Sequence, residues 1–169
     1  MRYFPVPLSR KKILTPKLIK DIEANGEVKI KHAKDGVEIV SEEDDGGKEW
    51  IAERVVDAAI EGFEPKRAFK LFSDEFYIEK IDLTLAFRRK EKSIDRAKAR
   101  IIGAEGKARK KLEEESDTFI AVSNAHDTVS IIGRYEDIQN AKEAILRLME
   151  GATHESVYRF LAMQNKMKL

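Results

Sequence analysis

The chain has 169 residues, of which 42% are hydrophobic and 37% are charged, and it contains no cysteine. This length allows one mid-sized domain or two small ones with apolar cores, and the absence of cysteine excludes disulfides and thiolate metal sites. The first residues lack the apolar run of a secretory signal, and no window approaches the roughly 20 apolar residues of a membrane span. We therefore expect a soluble, cytoplasmic protein with no membrane partner.

Charge is segregated along the chain, although the formal net charge is only +1. Residues 88–111 hold eleven Lys or Arg against three acids, whereas residues 42–64 hold nine acids against two bases. Such runs are most often the solvated faces of helices in a highly charged protein. A basic segment also suits a partner that carries phosphate groups, so the choice depends on the motif inside residues 88–111.

The first part of the chain predicts a strand, a helix and a hairpin. Thr15 suits the N-cap of the helix because Pro16 then occupies the first helical position, where its missing N–H is tolerated. Two β-rich runs follow, joined by a short segment rich in turn-forming residues, and these predict the hairpin. In chain order the elements are a strand near residues 3–7, a helix over 16–24, and strands over 28–31 and 37–40.

A longer helix follows the hairpin, and its segment recurs at a constant separation of 89 residues. Ala52 corresponds to Ala141, and the glycines that can end the two helices, Gly62 and Gly151, also correspond. A short second helix is expected after each glycine. The hairpin recurs at a separation of 92 with a loop of equal length. The second copy thus predicts a helix over 107–116 and strands over 119–122 and 129–132.

Residues 75–92 join the two copies and are rich in apolar side chains, too rich for a solvated flexible linker. The repeated order of strand, helix, hairpin and long helix predicts an α+β fold. Each copy is expected to form a three-stranded antiparallel sheet with helices packed on one face. The predicted division is one module over 1–74, an apolar inter-module joint over 75–92, and a second module over 93–169 with a C-terminal helix.

A Gly-x-x-Gly motif inside the basic segment carries the functional prediction. Two aliphatic residues precede Gly103 and Gly106, and a helix follows them. Glycines at these positions would let the backbone turn sharply between two helices, and they would admit a sugar-phosphate chain to the amides of a helix N-terminus. The spacing alone is weak, because about one such pair arises by chance in a chain of this length. The alternative is a tight helix–helix turn that needs glycine for packing alone.

This context resembles the signature of KH domains, and each predicted module resembles a type I KH fold. KH domains clamp about four nucleotides at this loop and receive the bases in an adjacent apolar groove. The resemblance implies that the two aliphatic residues support the loop and that Ile120 or its neighbours line the groove. The implied RNA-binding residues are Arg100, Ile101, Ile102, Gly103, Ala104, Glu105, Gly106, Lys107, Arg109, Lys110 and Ile120.

The first copy has no glycine before Gly26, so it cannot contain a Gly-x-x-Gly loop. The equivalent place falls within residues 11–16. We therefore expect a degenerate KH module that keeps the framework and lacks the clamp. Its acidic segment argues against phosphate there and favours either a basic protein partner or mere solubility.

The tandem arrangement resembles the archaeal KH-domain RNA-processing proteins, which are the counterparts of the eukaryotic ribosome assembly factor called partner of Nob. The resemblance implies a non-enzyme that binds the 3′ region of small-subunit rRNA and contacts the PIN-domain endonuclease that trims it. A translation initiation factor subunit is a further candidate partner. Two alternatives stay open: a protein–protein adaptor, and a regulator of translation or mRNA.

Other chemistries have no matching pattern in the sequence. The three histidines are scattered singly, without metal-ligand spacing, and no Walker loop or nucleophile–histidine pattern is present. We therefore predict no catalytic residue, no metal site and no cofactor.

Overall fold

The structure is a computed structural model that describes residues 1–168. It divides into two compact units, with the boundary between Phe76 and Tyr77. Within the described residues, every helix is too short or too polar to cross a membrane. Each unit contains one three-stranded antiparallel sheet, so the predicted α+β class with two such sheets is confirmed.

In the first unit, the central strand is the last of the three, and the sheet order is β1-β3-β2. Thr15 caps the first helix as predicted, because its Oγ1 accepts a hydrogen bond from the Leu18 amide at 3.2 Å. The elements are β1 (Arg2–Pro5), α1 (Pro16–Gly26), β2 (Val28–Ala33), β3 (Gly36–Ser41), α2 (Gly46–Glu61) and α3 (Pro65–Ala68), with 3-10 turns over Leu8–Ile13 and Phe69–Phe72.

The second unit repeats this topology, with the sheet order β4-β6-β5. Its core lies between the sheet and the helices and includes Ile101, Leu112, Ile131 and Ile145, all at most 1% exposed. The elements are β4 (Tyr77–Asp82), α4 (Leu83–Ala86), α5 (Glu91–Ile102), α6 (Lys107–Ser116), β5 (Phe119–Ser123), β6 (Thr128–Gly133), α7 (Tyr135–Met149) and α8 (His154–Met167), with a 3-10 turn over Ala104–Gly106.

The internal repeat extends to individual hydrogen bonds. In the first unit, the carboxylate of Glu23 on α1 accepts from the amide of Ile30 on the edge strand β2, at 2.8 Å. In the second unit, Glu113 on α6 accepts in the same way from Ile120 on the edge strand β5, at 2.9 Å. A helix carboxylate therefore satisfies an edge-strand amide at corresponding places in both units, which is good evidence that they share one framework.

The segment 75–92 contains the first strand and α4 of the second unit, and its residues Ile81 and Leu83 are buried in that unit's core. Two expectations differ from the structure. The hairpin loops are unequal, since β2 and β3 are joined by two residues and β5 and β6 by four. The second helix after the repeat glycine is four residues long in the first unit and fourteen in the second.

A buried carboxylate ties the start of the first unit to its sheet. Glu49 on α2 is 2% exposed, and it accepts hydrogen bonds from the amide and hydroxyl of Ser41, at 2.9 and 3.1 Å. The terminal amine of Met1 lies 2.8 Å from its other oxygen. That amine first, and then Ser41, hold the pKa of Glu49 below its ordinary value.

We predict that Glu49→Gln reduces the pH dependence of the first unit's stability. A carboxylate with a lowered folded-state pKa contributes stability that is complete above its unfolded pKa of about 4.3 and is lost as the pH falls through the folded value. The urea midpoint can be followed by fluorescence of Trp50, the single tryptophan of the chain. The gap between wild type and variant should be wide at neutral pH and should close under acid conditions. A gap that is independent of pH would contradict the assignment.

Candidate nucleic-acid interface

The Gly-x-x-Gly segment forms a sharp turn between α5 and α6. Gly103 ends α5 with φ of 71°, and Gly106 precedes α6 with φ of 75°. Glu105 between them also has a left-handed backbone, with φ of 56°. Two hydrogen bonds close the turn, from the Gly103 amide to the Ala99 carbonyl at 2.8 Å and from the Gly106 amide to the Gly103 carbonyl at 3.2 Å.

The two glycines are needed for different reasons. A Cβ on Gly103 would lie 2.6 Å from the Cβ and 2.8 Å from the backbone nitrogen of Ala108, closer than atoms can approach. A Cβ on Gly106 would find open space, with the nearest atom, a guanidinium nitrogen of Arg109, at 3.6 Å. Gly103 is therefore required by packing inside the fold. At Gly106 only the positive φ disfavours a side chain.

The N-terminus of α6 has no side chain that caps it. The Lys107 amide donates to the Ala104 carbonyl, and the amides that follow it in the first turn have no side-chain acceptor. Together with the helix dipole they favour an anion. The corresponding helix of the first unit is closed, because Thr15 caps it and Pro16 has no N–H to offer. The two units therefore differ at this helix in whether a side chain caps the first turn.

Apart from the glycines and isoleucines, the residues predicted at the turn divide into two groups. Ala104, Glu105, Lys107 and Lys110 are exposed, and Arg109 is half-buried with its guanidinium beside Gly106. Arg100 is engaged within the fold, since its guanidinium donates to the carbonyls of Leu148 and Ala152 at the end of α7. The structure thus brings the lysines and Arg109 to the turn and gives Arg100 a capping role.

The apolar residues predicted at the site are mostly core residues. Ile101 is 0% exposed and Ile120 is 2% exposed, and both belong to the core of the second unit. Ile102 is half-buried. Ile101 thus lies in the core near the end of α5, and its support of the turn stays a prediction. Ile120 does not line an open groove through its side chain, because strand β5 turns it toward the helices, and Val122 on the same side is half-buried.

The loop between β5 and β6 is tied to α5. Lys98, which is 9% exposed, pairs with Asp127 in this loop. The carbonyl of Asp127 also accepts from the Leu83 amide at 2.9 Å. Like Arg100, Lys98 is therefore a basic residue of the segment 88–111 that forms contacts within the fold.

Sequence reasoning missed two residues that shape the turn. Ala108 is the residue against which Gly103 packs. His154 contacts the carbonyl of Arg100 through Nε2 at 2.7 Å and so joins α8 to the end of α5. The small residue two positions after the second glycine could have predicted the contact between Gly103 and Ala108. No sequence pattern could have predicted the contact between His154 and Arg100, because 54 residues separate them.

Residues 77–166 match a protein-family model. That model describes the eukaryotic type KH domain, KH-domain type I, and represents the second KH domain of PNO1. The chain belongs to this KH family. The match begins at β4, as does the second structural unit. Within residues 1–168 of this KH protein, no group of three or more His, Cys, Asp or Glu side chains could hold a metal ion.

Two curated relatives resemble the chain in sequence. It is 39% identical to a KH domain-containing protein of Methanocaldococcus jannaschii over 117 residues, which make up 69% of this chain and 50% of that protein. It is 27% identical to RNA-binding protein PNO1 of Oryzias latipes over 158 residues, 93% of this chain and 64% of that protein. The chain thus spans about half to two thirds of these relatives.

A solved structure is also similar over almost the full chain. It is the complex of a/eIF2alpha, aDim2p and rRNA from Pyrococcus horikoshii, matched with a TM-score of 0.88 and 35% identity. The match covers 98% of this chain and 94% of the other. The KH protein described here is therefore of the archaeal PNO1/Dim2 type.

We predict that the two glycines of the KH turn tolerate alanine unequally. Gly103→Ala combines backbone strain with overpacking against Ala108 of about 1–3 kcal/mol. The strain is about 1–3 kcal/mol, because φ of 71° with ψ of 178° is a conformation that is essentially limited to glycine. Gly106→Ala carries the strain alone, and should cost about 1–2 kcal/mol. Urea unfolding followed by circular dichroism measures both. Equal losses for the two variants would show that Gly103 does not pack against α6 as described.

Proposed function

We propose that the protein is a single-stranded RNA-binding assembly factor of the small ribosomal subunit. Its second unit binds RNA near the 3′ end of the small-subunit rRNA through the turn at Gly103 and Gly106, and the protein assists pre-rRNA processing without catalysing it. The observation that carries the proposal is the uncapped N-terminus of α6. The glycine turn precedes it, and Lys107 and Lys110 are exposed beside it.

The phosphate contacts are assigned to the groups that the fold leaves available. The first amides of α6 and the side chains of Lys107, Arg109 and Lys110 surround the turn, and together they outweigh the single negative charge of Glu105. Arg100 positions α7 and does not contact phosphate in this assignment. The first unit offers an acidic surface instead of a clamp.

The relatives support the RNA and the ribosomal assignment. One is named an RNA-binding protein, and the similar solved structure is a complex with rRNA. That complex also contains a/eIF2alpha, which supports a translation initiation factor subunit as a partner of this chain. A PIN-domain rRNA endonuclease is a further proposed partner, and it follows from the proposed role in 3′-end processing. The proposed location is the cytoplasm.

Two other functions compete with this proposal. A protein–protein adaptor would use both KH units without RNA and would show no salt-dependent RNA binding. A regulator of translation or mRNA would prefer RNAs unrelated to the rRNA 3′ region. The helix N-terminus beside exposed Lys107 and Lys110 favours RNA over the adaptor, because the helix dipole and the two cations act together on phosphate.

We predict that Gly106→Asp abolishes RNA binding while the fold persists. The position is open in space, and Asp tolerates a left-handed backbone better than most residues. Its side chain and charge would occupy the place where phosphate approaches the α6 amides. The affinity for single-stranded RNA should fall by at least about tenfold, or 1.4 kcal/mol. Filter-binding titrations measure the affinity, and circular dichroism confirms the fold.

Gly62→Asp is the matched control, because Gly62 also has a positive φ and open space around it but lies in the first unit, at the end of α2. This control should bind RNA within about a factor of three of wild type, roughly 0.6 kcal/mol. If the folded Gly106→Asp variant bound as tightly as wild type, the site would lie elsewhere.

We also predict the RNA that the protein contacts in cells. Ultraviolet crosslinking followed by sequencing of the attached RNA should give its strongest peak within the 3′ region of the small-subunit rRNA, and the Gly106→Asp variant should lose that peak. Peaks confined to mRNA would favour the regulator instead.

A further inference from the structure

A line of exposed positions leads away from the KH turn along α5. Lys92, Arg96 and Ala99 are exposed and follow one another at spacings of four and three residues, which places them on one face of the helix. Gly103 lies four residues further and continues the line. At about 1.5 Å per residue, Arg96 is about 10 Å and Lys92 about 16 Å from Gly103 along the helix axis.

The loop before α5 adds more positive charge to the start of this line. Arg88, Arg89 and Lys90 are exposed, and the two arginines have left-handed backbones with φ of 48° and 61°. Consecutive left-handed residues other than glycine are costly and rare. The fold nevertheless holds them, because the Arg89 amide donates to the Thr84 carbonyl at 2.8 Å and the half-buried Phe87 packs on the core.

The arrangement is unfavourable for the isolated fold. None of these five bases forms an ion pair or a side-chain hydrogen bond within residues 1–168, whereas Lys98 and Lys111 do. Lys92 and Arg96 repel each other across one helical turn, and the positive end of the α5 dipole lies beside Lys90. Glu91 and Asp95 on the same helix offset only part of this charge. Local rules that a fold breaks without evident compensation are expected at functional or strained sites.

We propose that Arg88, Arg89, Lys92 and Arg96 bind the backbone phosphates of RNA nucleotides beyond those held at the KH turn. A KH clamp holds about four nucleotides, and the line of cations would extend the bound length of RNA along α5. Ala99 leaves the path between Arg96 and Gly103 free of a bulky side chain. This inference rests on the proposed function and adds a second group of contacts to the same RNA.

The test variant removes the four positive charges and uses residues that suit the local backbone conformation. Arg88→Asn and Arg89→Asn suit the left-handed positions, and Lys92→Gln and Arg96→Gln preserve helix propensity. All four changes are combined in one full-length variant. A control variant loses the same charge from four exposed lysines of the first unit, by changing Lys12, Lys17, Lys20 and Lys66 to Gln.

The RNA probes separate the turn from the extension. Windows of about four nucleotides from the small-subunit rRNA 3′ region identify the tightest short RNA, which is then lengthened by ten uridines at its 5′ or its 3′ end. Wild type should bind one of the lengthened RNAs more tightly than the short one. The four-site variant should lose about tenfold on that RNA. The slope of its plot of log K against log salt should flatten by about 3, as expected for four lost phosphate contacts on a single strand.

On the short RNA, the four-site variant should match wild type within about twofold, because charges about 10 Å away are screened at physiological salt. Equal affinity of wild type for short and lengthened RNA would overturn the inference. So would an unchanged salt slope in the four-site variant, or an equal loss in the control variant. Failure of the proposed function looks different, since then no window would bind wild type in a way that Gly106→Asp abolishes.

Discussion

The close packing of Gly103 against Ala108 is the contact on which the candidate site depends. Because no Cβ intervenes, α6 can begin immediately beside the end of α5. The intervening turn then needs left-handed backbone at Gly103, Glu105 and Gly106. This geometry leaves the first amides of α6 without a capping side chain, and it anchors the loop to a core that contains Ile101. The site is therefore a consequence of how two helices pack.

The two units show how one framework supports different surfaces. Both have the same sheet order, and both use a helix carboxylate to satisfy an edge-strand amide. They differ at the start of one helix, where Thr15 and Pro16 close the N-terminus in the first unit. A capping hydroxyl would compete with phosphate for the same amides, and this local difference supports the proposal that the second unit serves as the clamp.

The basic segment is not one uniform surface. Lys98 and Arg100 are used within the second unit, where they hold the β5–β6 loop and the end of α7. Lys111 pairs with Glu115 on α6, and the other bases at the turn and along α5 form no ion pair within residues 1–168. Charge counted along the sequence therefore overstates what RNA can reach. Cations that pair with carbonyls or carboxylates of the fold must therefore be distinguished from cations that the fold leaves exposed.

The sequence by itself determined the fold class, the internal repeat, the Thr15 cap and the Gly-x-x-Gly turn, because each depends on residues close together in the chain or on a regular period. The tertiary structure decided the rest. Only the packed sheet shows that residues 77–82 form an edge strand, and only three-dimensional contacts bury Ile120 and engage Arg100 with carbonyls about fifty residues away. A side chain's availability to a ligand depends on such distant partners, and local sequence patterns do not specify them.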